Sequence, residues 1–285
     1  MTTMLGPVGV EFRSRRRVPV AVAISLGVLA LALVAVLAGP VLFPDATKQD
    51  ILGSLMPAGS DGHPLGTDEL GRDILALTVA GAASALVGPI CVAVGSMLLG
   101  ILLGTLAGFE RGWLDFVISR WTDLLLALPV LLAAIVVSGV FGGGYWTTVL
   151  LLIVLFSPSD IRIVRAGVLE QSARPYIEAA QMLSLSRWRI MYRHILPNVS
   201  SLVITNAMLN VAFALVAFSS LSFLGVGVPP GTADWGRQLT DSRAIMFDNP
   251  AAVIVPATLI IAVACAANLV GDWLGQRLTR AGGAS

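Results

Sequence analysis

Six mainly apolar stretches alternate with polar segments along the chain. An α-helix needs about 20 such residues to cross the hydrocarbon core of a bilayer, so each stretch is a candidate transmembrane helix. The fourth is the weakest, because Pro158 and Asp160 interrupt it; a proline there can kink a helix that continues beyond the membrane. The stretches cover residues 19–43, 76–108, 116–140, 146–157 (extending towards 163), 200–224 and 251–271.

The composition favours a membrane protein built from helices. Hydrophobic residues make up 56% of the 285 positions and charged residues 12%, and the mean hydropathy is +0.86. Soluble domains are less apolar than this. The sequence therefore predicts an all-α membrane protein with six transmembrane helices.

The basic residues are distributed unevenly between the two sides of the predicted bundle. If the N-terminus is cytosolic, fourteen of the eighteen basic residues fall in cytosolic segments. Cytosolic loops of membrane proteins are enriched in Lys and Arg, so we predict that both termini are cytosolic. The four basic residues predicted to lie outside are Lys48, Arg72, Arg237 and Arg243.

The arginine-rich N-terminus before an apolar run is also typical of a cleaved secretory signal. The run here is about 24 residues long, whereas the apolar core of a cleaved signal has ~7–15, so we predict a retained helix. The predicted layout is a cytosolic segment (1–18), an N-terminal transmembrane helix (19–43), an external loop (44–75), a core of five transmembrane helices (76–275) with a second external loop (225–250), and a cytosolic tail (276–285).

The sequence lacks the motifs of nucleotide-binding, metal-binding and hydrolytic sites. A phosphate-binding P-loop requires a lysine in the frame GxxxxGK[ST], and Lys48, the one lysine of the chain, stands in ATKQD instead. The two cysteines and two histidines are scattered, without the spacing of metal ligands. Neither HExxH nor GxSxG occurs. We therefore expect no catalytic residue, metal or cofactor in this chain; if ATP drives its action, another subunit binds the ATP.

The polar segment 174–197 is the clearest functional candidate. Six arginines lie within residues 160–198, in a chain with few charges. Pro175 suits the first position of a helix, so we predict a helix at 176–183, a sharp turn, and a second helix at 187–195. A short rigid helix at the membrane surface can transmit the movement of a bound partner protein to the membrane helices. The alternative is an amphipathic helix that merely rests on lipid.

Three further sets of residues are candidates for packing, charge pairing or a pathway. Small residues at every fourth position of the second span form a ridge on which another helix can pack closely. Arg120 and Asp123, near the inner end of the third span, are spaced for an i,i+3 ion pair. Three asparagines at membrane depth either line a pathway or form hydrogen bonds between helices. The ridge consists of Gly100, Gly104 and Gly108, and the asparagines are Asn206, Asn210 and Asn268.

Four motifs, in this order along the chain, resemble the C-type permease subunits of dipeptide and oligopeptide ABC importers. HPLGTDELGRD at 63–73 is similar to their HPxGTDxLGRD, and RWTDLLLALP at 120–129 is similar to RxxDxxLAxP. EAA at 178–180, followed by HILP at 194–197, resembles the family's EAA loop. LSFLGVGVPPGTADWG at 221–236 resembles LSFLGxGxxPPxxxWG, with the proline pair one position early. The resemblance extends over nearly the whole chain after the first motif.

The resemblance implies a type I ABC importer permease fold and a division of labour among subunits. One N-terminal helix precedes a shared helical core, which pairs with a homologous second permease to enclose a pathway. Cytosolic ATPases, which bind ATP and Mg, dock on the EAA loop, and an external solute-binding protein delivers the substrate. Membrane lipid surrounds the bundle, and no nucleic-acid partner is expected. The residues implied in coupling to the ATPase are Tyr176, Glu178, Ala179, Ala180, Leu183, Ser184 and Pro197.

Peptide, carried across a bacterial cytoplasmic membrane, is the substrate that the resemblance favours. Similar importers carry nickel, glutathione or haem, and these substrates stay open. A secondary carrier is the main rival of another class. Such carriers usually need ionisable groups in the middle of the membrane, and spans two, five and six contain none.

One departure from the family pattern concerns Ser184, where the family usually has Gly. Left-handed backbone angles are freely accessible to glycine but cost serine about 1 kcal/mol or more. Either the turn is less extreme in this chain, or the side chain of Ser184 stabilises it by local hydrogen bonding.

Overall fold

The computed structural model describes residues 18–282, and this part of the chain is almost entirely helical. Residues 1–17, which include most of the predicted N-terminal cytosolic segment, and residues 283–285, at the end of the predicted tail, lie outside the described residues. The helices are α1 (Val20–Leu42), α2 (Ile74–Glu110), α3 (Gly112–Leu126), α4 (Val130–Phe141), α5 (Tyr145–Ser172), α6 (Pro175–Met182), α7 (Arg187–Phe223), α8 (Trp235–Asp241) and α9 (Ala251–Gly282).

Five helices are long and apolar enough to cross a membrane, namely α1, α2, α5, α7 and α9. A sixth crossing requires α3 and α4 to act together, and these two helices are bent by 89° at the break between them. The prediction of one continuous helix over 116–140 is therefore wrong. Pro129 explains the break, because proline removes a backbone donor and disfavours helical angles at the preceding residue. At about 1.5 Å per residue, α3 and α4 are each shorter than the ~30 Å hydrocarbon core.

The fourth predicted stretch forms a helix that continues well past Pro158. Helix α5 runs to Ser172 with Pro158 and Asp160 in its interior. Both residues are buried, so the polar interruption in the sequence lies inside the bundle rather than at a helix end.

The glycine ridge of α2 lies directly against α5. A Cβ atom built at Gly100 would lie 2.5 Å from the Cβ of Asp160, and one at Gly104 would lie 2.7 Å from the carbonyl oxygen of Ile161. At Gly108 the nearest atom, 2.9 Å away, is the carbonyl oxygen of Arg165. Any side chain at these positions would force the two backbones apart. The predicted small-residue ridge is thus the contact surface between two long helices.

Helix α1 packs against α2 and α9 through small side chains. Gly39 lies so close to α2 that a Cβ there would be 2.6 Å from the carbonyl oxygen of Val79. The opposite side of α1 is exposed and apolar; Leu31 and Leu37, for example, are 69% and 70% exposed. This face suits contact with lipid chains.

Two loops at one end of the bundle pack into a single ordered unit, which we call the loop cap (residues 43–73 and 225–250). Arg72 lies at its centre, with only 3% of its surface exposed. Its Nε donates to Oδ2 of Asp68 (2.7 Å), and its Nη2 donates to Oδ2 of Asp241 (3.2 Å), across 169 positions of the chain. The indole Nε1 of Trp235 donates to the carbonyl oxygen of Thr78 on α2 (2.8 Å). Helix α8, which begins at Trp235 in the motif at 221–236 and ends at Asp241, therefore connects that motif to Arg72 of the motif at 63–73 and to the start of α2.

The ridge can be tested by adding the same side chain at two glycines. We expect Gly104→Leu to destabilise the protein by about 1–3 kcal/mol or more, because overpacking must separate α2 from α5. Gly27→Leu is the matched control, since no atom lies within 4 Å of a Cβ built at that exposed position of α1. Thermal unfolding of each variant in detergent checks the expectation, and equal melting temperatures would contradict the assigned contact.

The loop cap can be tested through its central cation. Arg72→Ala leaves the buried carboxylate of Asp68 without its partner, and breaking a buried pair in this way costs about 3–5 kcal/mol. Arg243→Ala removes the same charge from an exposed position of the cap and is expected to change stability little. The measurement is the melting temperature together with the rate of proteolytic cleavage in the cap. An Arg72→Ala protein as resistant as the Arg243→Ala protein would show that the cap does not depend on this cation.

Candidate functional site

The arginine-rich segment 174–197 forms a short helix, a sharp turn and the start of a long helix, at the end of the bundle opposite the loop cap. Helix α6 begins at Pro175, whose ring favours the first helical position. Its inward side chains are Ile177 and Ala180, which are 0% and 6% exposed. They pack in an apolar cluster with side chains of α5 and α7, so α6 is fixed to both. The other buried members of this cluster are Met97, Val164, Val168, Ile190, Ile195, Val199 and Val203.

The opposite face of α6 is exposed. Glu178 and Ala179 are exposed, and just beyond them Met182 and Leu183 are 84% and 75% exposed. A carboxylate and two large apolar side chains thus project from a region rich in arginine. Ala180 does not belong to this face, because it is buried, one turn after the inward-facing Ile177. Of the two alanines implied in coupling, Ala179 alone is exposed.

The turn after α6 keeps the left-handed geometry that a glycine would favour. Ser184 has φ of +55°. Backbone hydrogen bonds close the turn: the amide of Ser184 donates to the carbonyl oxygen of Gln181 (2.9 Å), and the amide of Leu185 donates to that of Ala180 (3.3 Å). Of the two explanations for serine at this position, a less extreme turn is therefore wrong. The backbone bonds hold Ser184 in this conformation.

The second helix of the segment runs on without ending at Pro197. Residues Ile190–Ile195 form a π-helical turn, and the amide of Leu196 donates to the carbonyl oxygen of Met191, five residues before it. A proline inside a helix clashes with the carbonyl four residues earlier, and a wider turn relieves such crowding. Pro197 therefore lies in the first turn after the π-helical stretch, within the continuous helix α7.

Polar side chains tie the segment to its neighbours. Nη1 of Arg187 contacts Oε2 of Glu110, at the end of α2, at 2.5 Å. The hydroxyl of Tyr176 donates to Oε1 of Gln171 (3.0 Å) and accepts from Nδ2 of Asn198 (3.2 Å). Partial burial raises the pKa of Tyr176 above its usual range, further from neutral pH, where the hydroxyl is in any case protonated and able to donate. Tyr176 thereby connects the end of α5 to the start of α7.

A cleft of about 410 Å³ lies beside these contacts. It is bounded by the end of α2, the turn and the start of α7. The residues that line it are Phe109, Glu110, Gln181, Leu185, Arg187 and Ile190.

Arg120 and Asp123 lie together at 3.3 Å on the exposed side of α3. Asp123 also contacts Arg162 of α5 (2.8 Å). A second pair, which sequence reasoning did not anticipate, joins Arg165 to both carboxylate oxygens of Asp115, at 2.5 and 2.6 Å. These contacts hold α3 beside α5. Because Arg120 is 67% exposed in its side chain, its own pairing contributes little to stability.

Two of the three candidate pathway asparagines are bonded inside the bundle. Nδ2 of Asn206 and Nδ2 of Asn210 both donate to Oδ1 of Asp160, at 2.6 and 2.7 Å. Asn210 is buried and Asn206 is half-buried, and both amides link α7 to α5. The amide oxygen of Asn268 is buried and has no hydrogen-bond partner within residues 18–282. Sequence reasoning assigned no role to Asp160; the signal available was two asparagines four positions apart, which share one helix face.

The described part of the chain contains no group of three His, Cys, Asp or Glu residues placed to hold a metal ion.

The left-handed turn generates a prediction about local stability. Ser184→Val places a β-branched side chain at positive φ, and we expect the turn to open more readily by about 1–2 kcal/mol. Ser186→Val is the control, because Ser186 is exposed and has ordinary extended angles (φ −63°, ψ 143°). The rate of tryptic cleavage after Arg187 reports the opening. Faster cleavage is expected for Ser184→Val alone, with Ser184→Gly at or below the unsubstituted rate; equal rates for both valine variants would refute the strain.

Comparison with known proteins adds a family to this geometry. Residues 100–280 match the family described as the inner membrane component of binding-protein-dependent transport systems. The chain is 35% identical to a glutathione transport system permease protein of Pectobacterium atrosepticum over 260 residues, which covers 91% of this chain and 86% of that protein.

Two further relatives are similar over most of their length. An oligopeptide transport system permease protein of Mycobacterium tuberculosis is 34% identical over 278 residues, 94% of this chain and 95% of that protein. A dipeptide transport system permease protein of Alkalihalophilus pseudofirmus is 29% identical over 276 residues, with 97% and 90% coverage. The predicted family resemblance is confirmed, as is the type I importer permease fold: this chain belongs to the family of inner membrane components of binding-protein-dependent transport systems, as a multi-pass permease subunit.

Proposed function

We propose that this chain forms half of a translocation pathway for peptides across the cytoplasmic membrane, in an importer that partner ATPases drive. The observation that carries the proposal is the structure of the arginine-rich segment. Its short helix α6 is fixed inward by Ile177 and Ala180 and exposes a mixed acidic and apolar face outward. Such a face, supported by rigid packing, is suited to receive a moving protein partner.

The ATPase contacts the exposed side of α6 and the turn after it. Glu178 pairs with a basic group of the ATPase, and Met182 and Leu183 provide the apolar contact. Tyr176 and Ser184 hold the segment in shape, and Pro197 lies at its junction with the membrane helix. A helix that only rested on lipid would not need the polar ties that join Tyr176 to Gln171 and Asn198.

The arginine-rich end of the bundle faces the cytosol, and the loop cap faces outward. Arginines cluster at the former end: Arg162, Arg165, Arg174, Arg187, Arg189 and Arg193 lie in or near the segment. The same orientation places both termini in the cytosol.

The other subunits complete the transporter. A homologous second permease packs beside this chain to close the pathway, and an external solute-binding protein docks on the loop cap. ATP and Mg are bound by the ATPases, so this chain performs no covalent chemistry and holds no cofactor. ATP binding draws two coupling helices together and opens the pathway outward, and hydrolysis reverses the motion.

Peptide is the substrate class that the relatives favour. Two of the relatives described above carry dipeptide or oligopeptide in their names, and the third carries glutathione. Glutathione is itself a small peptide, so all three names fall within one chemical class. The solute-binding protein selects among members of that class.

The docking face can be tested by reversing its charge. In the intact complex in proteoliposomes, we expect Glu178→Arg to reduce peptide uptake by about tenfold or more, since like charges at a contact cost several kcal/mol. Membrane insertion remains intact, because Glu178 is exposed. Uptake and substrate-stimulated ATP hydrolysis are measured together.

Glu170→Arg is the matched control. Glu170 lies on α5 shortly before α6, its side chain is 68% exposed, and its pairing with Arg174 is a surface contact of small energetic value. The substitution Glu170→Arg reverses the same charge at the same end of the molecule, but at a position outside α6. Normal uptake and normal stimulation of ATP hydrolysis in the Glu178→Arg complex would rule out the docking role.

A further inference from the structure

A carboxylate is buried where three long helices meet. Asp160 of α5 has no exposed surface. Its Oδ1 accepts hydrogen bonds from Asn206 and Asn210 of α7, and its Oδ2 accepts from Asn210 at 2.8 Å. On the other side, α2 approaches so closely at Gly100 that a Cβ there would lie 2.5 Å from that of Asp160. One side chain of α5 therefore lies against two other helices, α7 and α2.

Apolar packing surrounds this polar junction towards both ends of the helices. Towards the loop cap, Leu152 of α5 and Phe218 of α7 belong to one buried apolar cluster. Towards the arginine-rich segment, Val164 of α5 and Val199 of α7 belong to a second such cluster. Burying an ionisable group in such surroundings is costly unless it is hydrogen-bonded. A leucine would hold the helices together without that cost, so the polar group contributes something that apolar contact does not supply.

What it contributes is a fixed register between α5 and α7. Apolar side chains can slide and repack with small changes in energy, whereas hydrogen bonds lose most of their strength when length or angle changes. The two asparagines lie four positions apart and both reach one carboxylate. A shift of α7 along α5 would break these bonds and leave buried polar groups unpaired.

The junction joins the two helices that flank α6, so a fixed register between them affects how a movement of α6 is transmitted. Helix α5 leads into α6 and helix α7 leads away from it. Asp160 lies twelve residues before the end of α5 at Ser172, which corresponds to about 18 Å of helix. A displacement of α6 is thus applied to two helices at once, and the bonds at Asp160 join those helices deep in the bundle.

We propose that Asp160, Asn206 and Asn210 form a hydrogen-bonded clamp that makes α5 and α7 move as one body with α6. Asp160 is then a positioning residue for transport. This inference rests on the proposed function, because a movement of α6 has a consequence only if an ATPase imposes it.

Substitutions in the intact complex separate this role from simple stabilisation. Asp160→Leu leaves the buried amide of Asn210 and the half-buried amide of Asn206 without their shared acceptor and is expected to lower the melting temperature. The triple variant Asp160→Leu, Asn206→Leu, Asn210→Leu leaves neither amide unpaired, and the buried Ser96 hydroxyl beside Asp160 retains its hydrogen bond to the carbonyl oxygen of Ala93. It is therefore expected to melt near the unsubstituted temperature. We expect it nevertheless to move about tenfold less peptide per ATP hydrolysed. Asp160→Asn retains an acceptor oxygen and is expected to restore coupling.

Thr148→Val is the matched control, because it removes a buried hydroxyl of α5 that has no hydrogen-bond partner in the described residues. It is expected to leave the ratio of peptide to ATP unchanged. Normal coupling in the triple variant would overturn the clamp. So would an Asp160→Asn complex that melts normally but is as uncoupled as the triple variant, since charge rather than hydrogen bonding would then be what matters.

A distance measurement tests the clamp without reference to transport. Spin labels are placed at Leu150 of α5 and Phe213 of α7, which are 64% and 62% exposed, in a protein whose two cysteines are replaced by alanine. We expect the distribution of label distances to broaden in the triple variant. An unchanged distribution overturns the clamp. If the distribution broadens but the unsubstituted complex does not import peptide, the clamp holds and the assigned substrate is wrong.

Discussion

The close approach of α2 and α5 is the contact on which the other features depend. Three glycines allow the backbones to touch, and this brings the polar middle of α5 into the centre of the bundle. Because lipid offers no hydrophobic driving force between helices, such membrane contacts rely on close packing and on polar bonds. The ridge supplies close packing between α2 and α5, and Asp160, which lies beside Gly100, supplies polar bonds from α5 to α7.

The same packing explains how a segment of eight residues can be rigid. An isolated helix as short as α6 is unstable in water. Ile177 and Ala180 anchor it in a cluster that α5 and α7 build together, and Tyr176 bonds to residues before and after it. A force applied to its exposed face is therefore passed to the bundle rather than lost in local unfolding. The left-handed turn at Ser184 completes this compact unit at some cost in backbone energy.

Features that follow from short-range patterns along the chain could be predicted from the sequence. Hydropathy located all six apolar stretches, and four-residue spacing identified the glycine ridge. It did not reveal the 89° break, because residues 116–140 are apolar on both sides of Pro129. Pairings between distant positions left no local pattern; Arg72 and Asp241 are 169 residues apart. Which face of α6 is buried depends on the helices packed against it. The clue in the sequence was the large apolar Ile177, three positions before Ala180 and therefore on the same helix face.

The ordered loop cap has a consequence for encounters with other molecules. Immobilising side chains and loops at an interface costs about 0.5–1.5 kcal/mol for each flexible side chain. In the cap this ordering has already occurred during folding, through Arg72 and its two carboxylates. A protein that binds to the cap would therefore meet a preorganised surface, and little of the binding free energy would be lost in ordering loops. Recognition at that surface then depends on shape and charge complementarity, so short-lived complexes can still be specific.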